Sequence, residues 1–298
     1  METKCKICGT QEESRIIGRP VLNKNFPRAA EKNYKIVQCR NCRFYYVTPE
    51  IDLSQEEWKQ LYENDYFAAA NISEWQIILR ASERKKRFKT IISELKTEKG
   101  KFLDIGCGEG FVLKEAEKNG FEPYGVDIAY NLAPYFSHFN FFKGNIFEGK
   151  FPDEYFSVIY MDSVLEHMLK PMETLHELKR IIKPGGVLLL IVPNEDSLEN
   201  AFIRLLYSIT LQSGKYGKIK PLVTPYHIQG FNGNSLRTAL NKCSFSKISI
   251  KGFGGNYTFW KAKKIGTKPY FQALLTFPVG LLSIALKKQI QLMALSVK

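Results

Sequence analysis

The sequence has no acidic residue after Glu199, although 15 of its 43 Lys and Arg residues lie beyond that position. The first 199 residues carry 28 basic and 30 acidic side chains, so the formal net charge of +13 arises entirely from the last third. A solvated basic surface is one interpretation of this asymmetry. The other is a surface that faces an anion, namely nucleic acid, a phosphate-bearing substrate or an acidic membrane.

The N-terminus lacks an apolar run behind a basic patch, which argues against a secretory signal and favours the reducing cytoplasm. Internal repeats and low-complexity tracts are also missing. The six cysteines are therefore expected to be ligands or free thiols rather than disulfides. With 298 residues, 44% of them apolar, the chain can bury a core of one large domain with a small module, or of two ordinary domains.

Four cysteines form two Cys-x-x-Cys knuckles near the N-terminus, Cys5 with Cys8 and Cys39 with Cys42. Zn²⁺ suits four thiolates in a short segment, because the metal supplies stabilisation that so small a core cannot provide. A closed set of four ligands leaves no open position, so we predict a structural zinc ribbon over residues 1–48. A redox pair or unconnected thiols are the alternatives.

Apolar residues at helical spacing predict a helical linker or lid over residues 49–99, ended by Gly100. Beyond it, short β-type runs alternate with helices, as in a mainly parallel sheet covered on both faces. The predicted strands are 102–105, 123–127, 140–143, 156–161, 187–192, 246–250 and 291–297. Residues 100–298 thus form one α/β domain, with a lid insertion at about 198–238 and an apolar helical insertion at about 262–288.

A glycine-rich turn follows the first of these strands and leads into a helix. Glycines let a ligand approach the backbone, and the helix N-terminus offers free N–H groups. Asp127 ends the second strand 21 residues after Gly106, where a carboxylate can accept hydrogen bonds from both ribose hydroxyls. The G-x-G-x-G spacing differs from that of nicotinamide sites, and Asp104 could face the ammonium group of an amino-acid tail.

These motifs resemble those of class I S-adenosylmethionine-dependent methyltransferases. The matching segments are 104–110, 125–127, 156–167 and 183–188. The resemblance implies a Rossmann-like seven-stranded, mainly parallel sheet with an antiparallel last strand, and S-adenosylmethionine as the cofactor.

By the same resemblance, Gly106 and Gly108 approach the methionine part of the cofactor and Asp127 holds its ribose. Asn145 stands where an Asp that contacts the adenine amine is common, and its amide oxygen can still accept that hydrogen bond. The predicted cofactor-binding residues are Asp104, Gly106, Cys107, Gly108, Gly110, Asp127, Ile128, Asn145, Ile146, Asp162, Ser163 and His167.

Methyl transfer from a sulfonium is an in-line displacement, which needs alignment and, for a hydroxyl or carbon acceptor, a base. We predict that His227, after the fifth strand, is this base and that Tyr226 assists it. A histidine that caps the following helix or contacts the cofactor is the alternative. Glu166 and His167 form a further acid/base candidate, expected instead to line the cofactor crevice or pack against it.

With the two knuckles and residues 62–67, the segment around His227 resembles the zinc-ribbon methyltransferases of sugar and surface-glycan biosynthesis, including deoxysugar C-methyltransferases. A Glu-His pair often stands in those enzymes where this chain has Tyr226 and His227. By analogy Tyr62 and Tyr66 are lid or substrate-side residues, while by periodicity they are the buried face of a helix. The implied acceptor is a small molecule or glycan, namely a sugar, nucleotide-sugar or lipid-linked glycan. From the charge pattern we expect it to be anionic.

A ribosomal or transfer RNA methyltransferase is the alternative, since zinc knuckles and a basic surface also suit RNA. Nucleic acid is the weaker prediction, because the knuckles hold few arginines and the positive charge lies far along the chain.

Residues 269–286 form a run of 18 uncharged residues, interrupted by Pro278 and Gly280. The run is barely long enough to cross a bilayer. We expect either a pair of short helices packed on the sheet or on a second subunit, or an interfacial hairpin whose lysines meet acidic headgroups. The predicted location is the cytoplasm, with peripheral contact to an anionic membrane through residues 261–288.

Overall fold

The computed structural model describes residues 4–11, 14–22, 26, 32–60, 88–89, 91–92, 95, 97–129, 137–209, 222–224, 226–254 and 268–298. Most of the predicted helical segment 49–99, with Tyr62 and Tyr66, lies outside the described residues. Its described part contains helix α1, Gln55–Gln60. The Ser54 hydroxyl accepts the Glu57 N–H and the Glu57 carboxylate accepts the Ser54 N–H, so a capping box starts this helix.

The central sheet has seven strands, and the predicted sheet with its antiparallel last strand is confirmed. Its strands are β5 (Lys101–Ile105), β6 (Glu122–Asp127), β7 (Asn140–Lys143), β8 (Phe156–Asp162), β9 (Ile182–Pro193), β12 (Ser246–Phe253) and β13 (Gln291–Val297). Their order is β12-β13-β9-β8-β5-β6-β7, and β13 runs antiparallel to both of its neighbours. Strands β8 and β9 lie at the centre and are apolar almost throughout, because both faces of the sheet are covered.

Five helices join these strands in the described part of the chain. They are α2 (Phe111–Lys118), α3 (Pro171–Ile181), α4 (Leu198–Ile209), α5 (Gly233–Lys242) and α6 (Lys268–Ala285). Among the described residues, none of the helices combines the length and apolarity that crossing a membrane requires.

Helix α6 is one helix of 18 residues with Pro278 inside it. The predicted pair of short helices is therefore wrong. Pro278 removes one hydrogen-bond donor but does not end the helix, because α6 packs along α4 and tertiary packing can offset the local cost of a proline.

The N-terminal residues form two small sheets whose edges come from the other half of the chain. The strands are β1 (Arg15–Gly18), β2 (Val21–Leu22), β3 (Lys35–Gln38), β4 (Tyr45–Thr48), β10 (Val223–Thr224) and β11 (Gln229–Gly230). One sheet has the order β1-β3-β4-β11 and the other pairs β10 with β2. Strands β10 and β11 are thus part of the N-terminal module.

The module and the central sheet also share one hydrophobic core. Cys5, Ile7 and Phe44 belong to the same buried cluster as Met161 and Leu190 of the central sheet. The Phe44 and Phe231 rings pack with their centroids 5.0 Å apart. The N-terminal residues therefore support the main domain rather than extending from it.

Candidate active site

The carboxyl ends of β5, β6 and β8 meet at one edge of the sheet. Ile105 pairs with Val126 on one side and with Met161 on the other, so the three following loops start side by side. Ligands of open α/β sheets bind at this edge. The predicted cofactor residues of segments 104–110, 127–128 and 162–167 are brought together there.

The glycine-rich loop is shaped by close backbone contacts. Gly106 has φ +74°, and a Cβ atom built on it would lie 2.4 Å from Val164 Cγ2. Its N–H donates to the Val126 carbonyl at 2.7 Å. Gly108 and Gly110 also have positive φ, and Gly110 caps the start of α2. The three glycines add no side chain at their positions, so a ligand can approach the backbone there.

Asp127 ties this loop to the end of β6. Its Oδ2 accepts the Gly108 N–H at 2.9 Å and its Oδ1 accepts the Ala129 N–H at 3.0 Å. The carboxylate is almost fully buried, and a carboxylate oxygen can accept more than one hydrogen bond. Ile128 beside it is 42% exposed and offers an apolar surface at the crevice.

Four predicted cofactor residues lie in the walls of the crevice. Asp104, Cys107 and Ile146 are buried, and the Cys107 Sγ would be 2.8 Å from a Cβ atom on Gly125. The Asn145 Oδ1 accepts the N–H groups of Phe147 and Glu148, so this side chain organises the turn after β7. Contact of these four residues with the cofactor stays a prediction.

Asp162 and Ser163 form a tight turn at the end of β8. The Asp162 carboxylate accepts the hydroxyls of Tyr160, at 3.0 Å, and Ser163, at 2.9 Å. Ser163 has φ +59°, and its N–H donates to the Ile191 carbonyl at 2.8 Å. Such a conformation is costly for a residue other than glycine and is often found at functional sites. It directs the chain into a 3-10 turn, Leu165–His167.

Two histidines from distant parts of the chain meet at this turn. The rings of His167 and His227 lie edge to face with their centroids 4.7 Å apart. The cluster also includes Glu166. Each of Glu166, His167 and His227 offers one atom that could ligate a metal, and these three atoms lie within 4.8 Å of one another. Groups at this separation can exchange protons through a bound acceptor or share one cation. Sequence reasoning noted Glu166 beside His167 but did not place it with His227.

Burial keeps two groups of this cluster, Glu166 and His167, neutral. Glu166 is 1% exposed, and neither of its carboxyl oxygens has a hydrogen-bond partner within the described part of the chain. Burial, and secondarily the charges of Asp162 and Glu195, raise the pKa of Glu166 to about 8. Burial and the neighbouring His227 lower the pKa of His167 to about 3. An uncharged imidazole and an uncharged carboxyl group thus face each other at neutral pH.

The segment that carries His227 is clamped from both sides. Gln229 and Gly230 pair with Tyr46 and Tyr45 in β4. On the other side, the Gln229 side-chain amide donates to the Met168 carbonyl just after the 3-10 turn. These bonds set the distance between His227 and His167. Tyr226 is buried beside His227.

The four predicted metal ligands come together in one cluster. The Sγ atoms of Cys5 and Cys42 are 3.6 Å apart, those of Cys8 and Cys39 are 3.5 Å apart, and no pair is a disulfide. A zinc tetrahedron with 2.3 Å bonds has S···S edges of about 3.8 Å. The cluster therefore fits Zn²⁺ with little movement.

The second knuckle also holds the start of helix α5. The Asn232 side-chain amide donates to the Arg43 carbonyl at 2.7 Å, and that of Asn234 donates to the Cys42 carbonyl at 3.1 Å. The Asn232 Oδ1 in turn caps α5 by accepting the N–H groups of Asn234 and Ser235. The metal cluster is thus linked through α5 to the segment of His227.

A family model described as a methyltransferase domain matches residues 76–250, which is more than half of the chain and includes the whole crevice. The chain belongs to this methyltransferase domain family.

Solved and curated relatives agree with this assignment. A crystal structure of an S-adenosylmethionine-dependent methyltransferase from Archaeoglobus fulgidus has a TM-score of 0.54 at 21% identity, and the match covers 78% of this chain and 100% of the other. The tRNA U34 carboxymethyltransferase of Hydrogenovibrio crunogenus is 33% identical over 30% of this chain and 31% of its own length. The demethylmenaquinone methyltransferase of Anoxybacillus flavithermus is 28% identical over 37% of this chain and 52% of its own length. This chain thus spans about a third to a half of these curated relatives.

Proposed function

We propose that the protein transfers a methyl group from S-adenosylmethionine to a small-molecule or glycan-type acceptor. The observation that carries this proposal is the hydrogen bond between Gly108 and the Asp127 carboxylate, which joins the glycine-rich loop and the acid proposed to bind the ribose in one crevice. S-adenosylmethionine, when bound, supplies the electrophilic methyl group. The residues proposed to hold it are those of the glycine-rich loop, with Asp127 and Ile128.

The acceptor is proposed to bind between the crevice and the two histidines. His167 and His227 lie on the loop that follows β8 and on the segment clamped against it. His227 would accept the proton of the acceptor atom on a ring nitrogen as that atom bonds to the methyl carbon, the electrons of the broken C–S bond being left on S-adenosylhomocysteine. An uncharged imidazole is needed for this step.

The proposed acceptor class is a sugar, a nucleotide-sugar or a lipid-linked glycan that carries negative charge. The resemblance to zinc-ribbon sugar methyltransferases supports it, as does a last third with 15 basic and no acidic side chains. An RNA acceptor is the alternative. The curated relatives do not favour it, because they include both a tRNA enzyme and a quinone methyltransferase.

The four-Cys cluster is proposed to hold a structural Zn²⁺. The distances between the sulfur atoms support this assignment. The ion would stabilise the knuckles and, through Asn232 and Asn234, the segment of His227.

Two measurements test the proposal in order. Calorimetry with S-adenosylhomocysteine should give a saturable signal with one site per chain, and no heat at millimolar ligand would contradict the cofactor assignment. Isotope-labelled methyl transfer into fractionated cell extract should then label a glycan or small-molecule fraction, whereas label in RNA would favour the alternative. His227→Ala should reduce turnover on the order of 100-fold while S-adenosylhomocysteine still binds, and retained turnover would remove His227 as the base.

A further inference from the structure

The C-terminal end of helix α6, from Leu281 onward, presents apolar side chains to the outside. Leu281, Leu282 and Leu286 are each more than half exposed, and Ile284 is 37% exposed. The only polar residue between positions 277 and 286, Ser283, is completely buried. A helix on the surface of a water-soluble domain normally has the opposite arrangement.

The inward direction of α6 is fixed by hydrogen bonds. The Ser283 hydroxyl donates to Glu199 Oε1 at 3.0 Å and approaches the Gly280 carbonyl at 2.7 Å. Glu199 lies on α4 and is itself buried, so the Ser283–Glu199 hydrogen bond joins the two helices on the inner side of α6. The inverted polarity therefore follows from how α6 is bound to α4.

The exposed residues cluster at the end of the helix. At 100° per residue, Leu281, Leu282 and Ala285 fall opposite Gly280 and Ser283. Ile284 borders the inward side, only about 40° from Gly280, and Leu286 directly follows the last residue of α6. We call Leu281, Leu282, Ile284 and Leu286 the α6 outer face. It accounts for four of the eight exposed large apolar residues in the described part of the chain, and Leu205 of α4 is a fifth.

Positive charge adjoins this face. Lys287 and Lys288 follow it directly and are both exposed. The sequence after Glu199 contains no acidic residue that could pair with them or repel an anionic surface. An exposed apolar strip bordered by cations is complementary to the boundary between acyl chains and anionic headgroups. A protein partner would have to match both the apolar strip and the unbalanced charge.

We propose that the α6 outer face binds the surface of an anionic phospholipid membrane. The helix lies parallel to the surface, its leucine side chains enter the acyl boundary, and Lys287 and Lys288 contact headgroup phosphates. This attachment is peripheral and leaves the crevice and the sheet outside the bilayer. It would place the enzyme where a lipid-linked acceptor resides, but it does not depend on the identity of the acceptor.

Vesicle flotation of the full chain tests this inference. Vesicles of phosphatidylcholine with phosphatidylglycerol should recover the protein, and vesicles of phosphatidylcholine alone should recover much less. The double variant Leu281→Ser/Leu282→Ser should weaken binding on the order of tenfold. Lys287→Gln/Lys288→Gln should weaken it about 30-fold and reduce its dependence on salt.

Matched controls change the same residue types elsewhere on the surface. Ile16→Ser removes an apolar side chain that is 59% exposed on β1, and Lys143→Gln/Lys183→Gln removes two exposed lysines on β7 and β9. Neither control should change recovery. Equal recovery on both vesicle types would overturn the proposal, as would equal losses in controls and α6 variants. Sedimentation provides a separate check, since a dimer that the leucine double variant dissociates would assign the face to a second copy of the chain.

Discussion

The backbone N–H of Gly108 and the Asp127 carboxylate are joined by a hydrogen bond of 2.9 Å, which links the glycine-rich loop to the second strand of the central sheet. The other carboxylate oxygen holds the Ala129 N–H. One acid therefore fixes both sides of the crevice. Shape and chemistry of the proposed cofactor site depend on the same side chain.

Replacement of this acid should affect both stability and binding. Asp127→Ala leaves two backbone N–H groups without their acceptor, and we expect a loss of about 2 kcal/mol in the free energy of unfolding. Loss of the ribose contacts should weaken S-adenosylhomocysteine binding about 100-fold, measured by calorimetry. The control Asp153→Ala removes an exposed partner of Arg180 and should leave affinity unchanged. Unchanged affinity in Asp127→Ala would show that the acid does not contact the ligand.

Two glycines with nearly equal φ separate steric effects from backbone strain. Gly106 and Gly185 have φ of +74° and +73°, but a Cβ atom would meet Val164 at Gly106 and nothing within 4 Å at Gly185. Gly185→Ala should cost about 1 kcal/mol of stability from backbone strain. Gly106→Ala should cost more and should also abolish measurable S-adenosylhomocysteine binding, because the loop must shift. Equal losses of stability and full binding in both variants would contradict this account of the loop.

Glu166 should make stability depend on pH. Its pKa is about 8 in the folded protein and 4.5 in the reference state. The folded state therefore favours the protonated carboxyl group. Its contribution to the free energy of unfolding is complete below pH 4.5 and is lost as pH rises through 8. Above pH 8 the free energy of unfolding should be lower by about 5 kcal/mol than below pH 4.5.

Urea unfolding of the wild type and of Glu166→Gln across this pH range checks the effect. The Gln variant keeps the shape of the side chain but cannot ionise, so its stability should fall less between pH 4.5 and 8. If the free energy of unfolding changed with pH in the same way for both proteins, Glu166 would have to be ionised in the folded state.

Substitutions in the Cys-x-x-Cys knuckles should lower catalytic activity, because the knuckles position the segment that carries His227. Cys39→Ser should lower the zinc content from one ion per chain and reduce kcat on the order of 100-fold by displacing that segment. Asn234→Ala removes only the side-chain bond to the Cys42 carbonyl and should lower kcat less, with zinc retained. Cys243→Ala, a buried cysteine outside the cluster, is the control that should keep both zinc and kcat. A fully active, zinc-free Cys39→Ser protein would separate the knuckles from catalysis.

The sequence predicted the central sheet well because its strands are apolar and bounded by turns. It could not predict that Glu166 and His167 meet His227, since that contact depends on β11, a strand of two residues that is too short to show a periodicity. The sequence predicted two short helices in place of α6, because Pro278 is typical of a helix break. In the structure α6 is one helix, which packs against α4. Local patterns reveal elements, and contacts between distant elements decide how a site is assembled.

The pairing of Gln229 and Gly230 with β4 also limits how this protein can be rearranged by recombination. The strand β11 at the edge of the N-terminal sheet begins 181 residues after β4, the strand it pairs with, ends (229 − 48). A chimera that exchanges only the first 48 residues would have to preserve the hydrogen-bond register with a strand it does not contain. Successful exchanges between homologues should therefore carry the knuckles and the His227 segment together, as a single inherited unit.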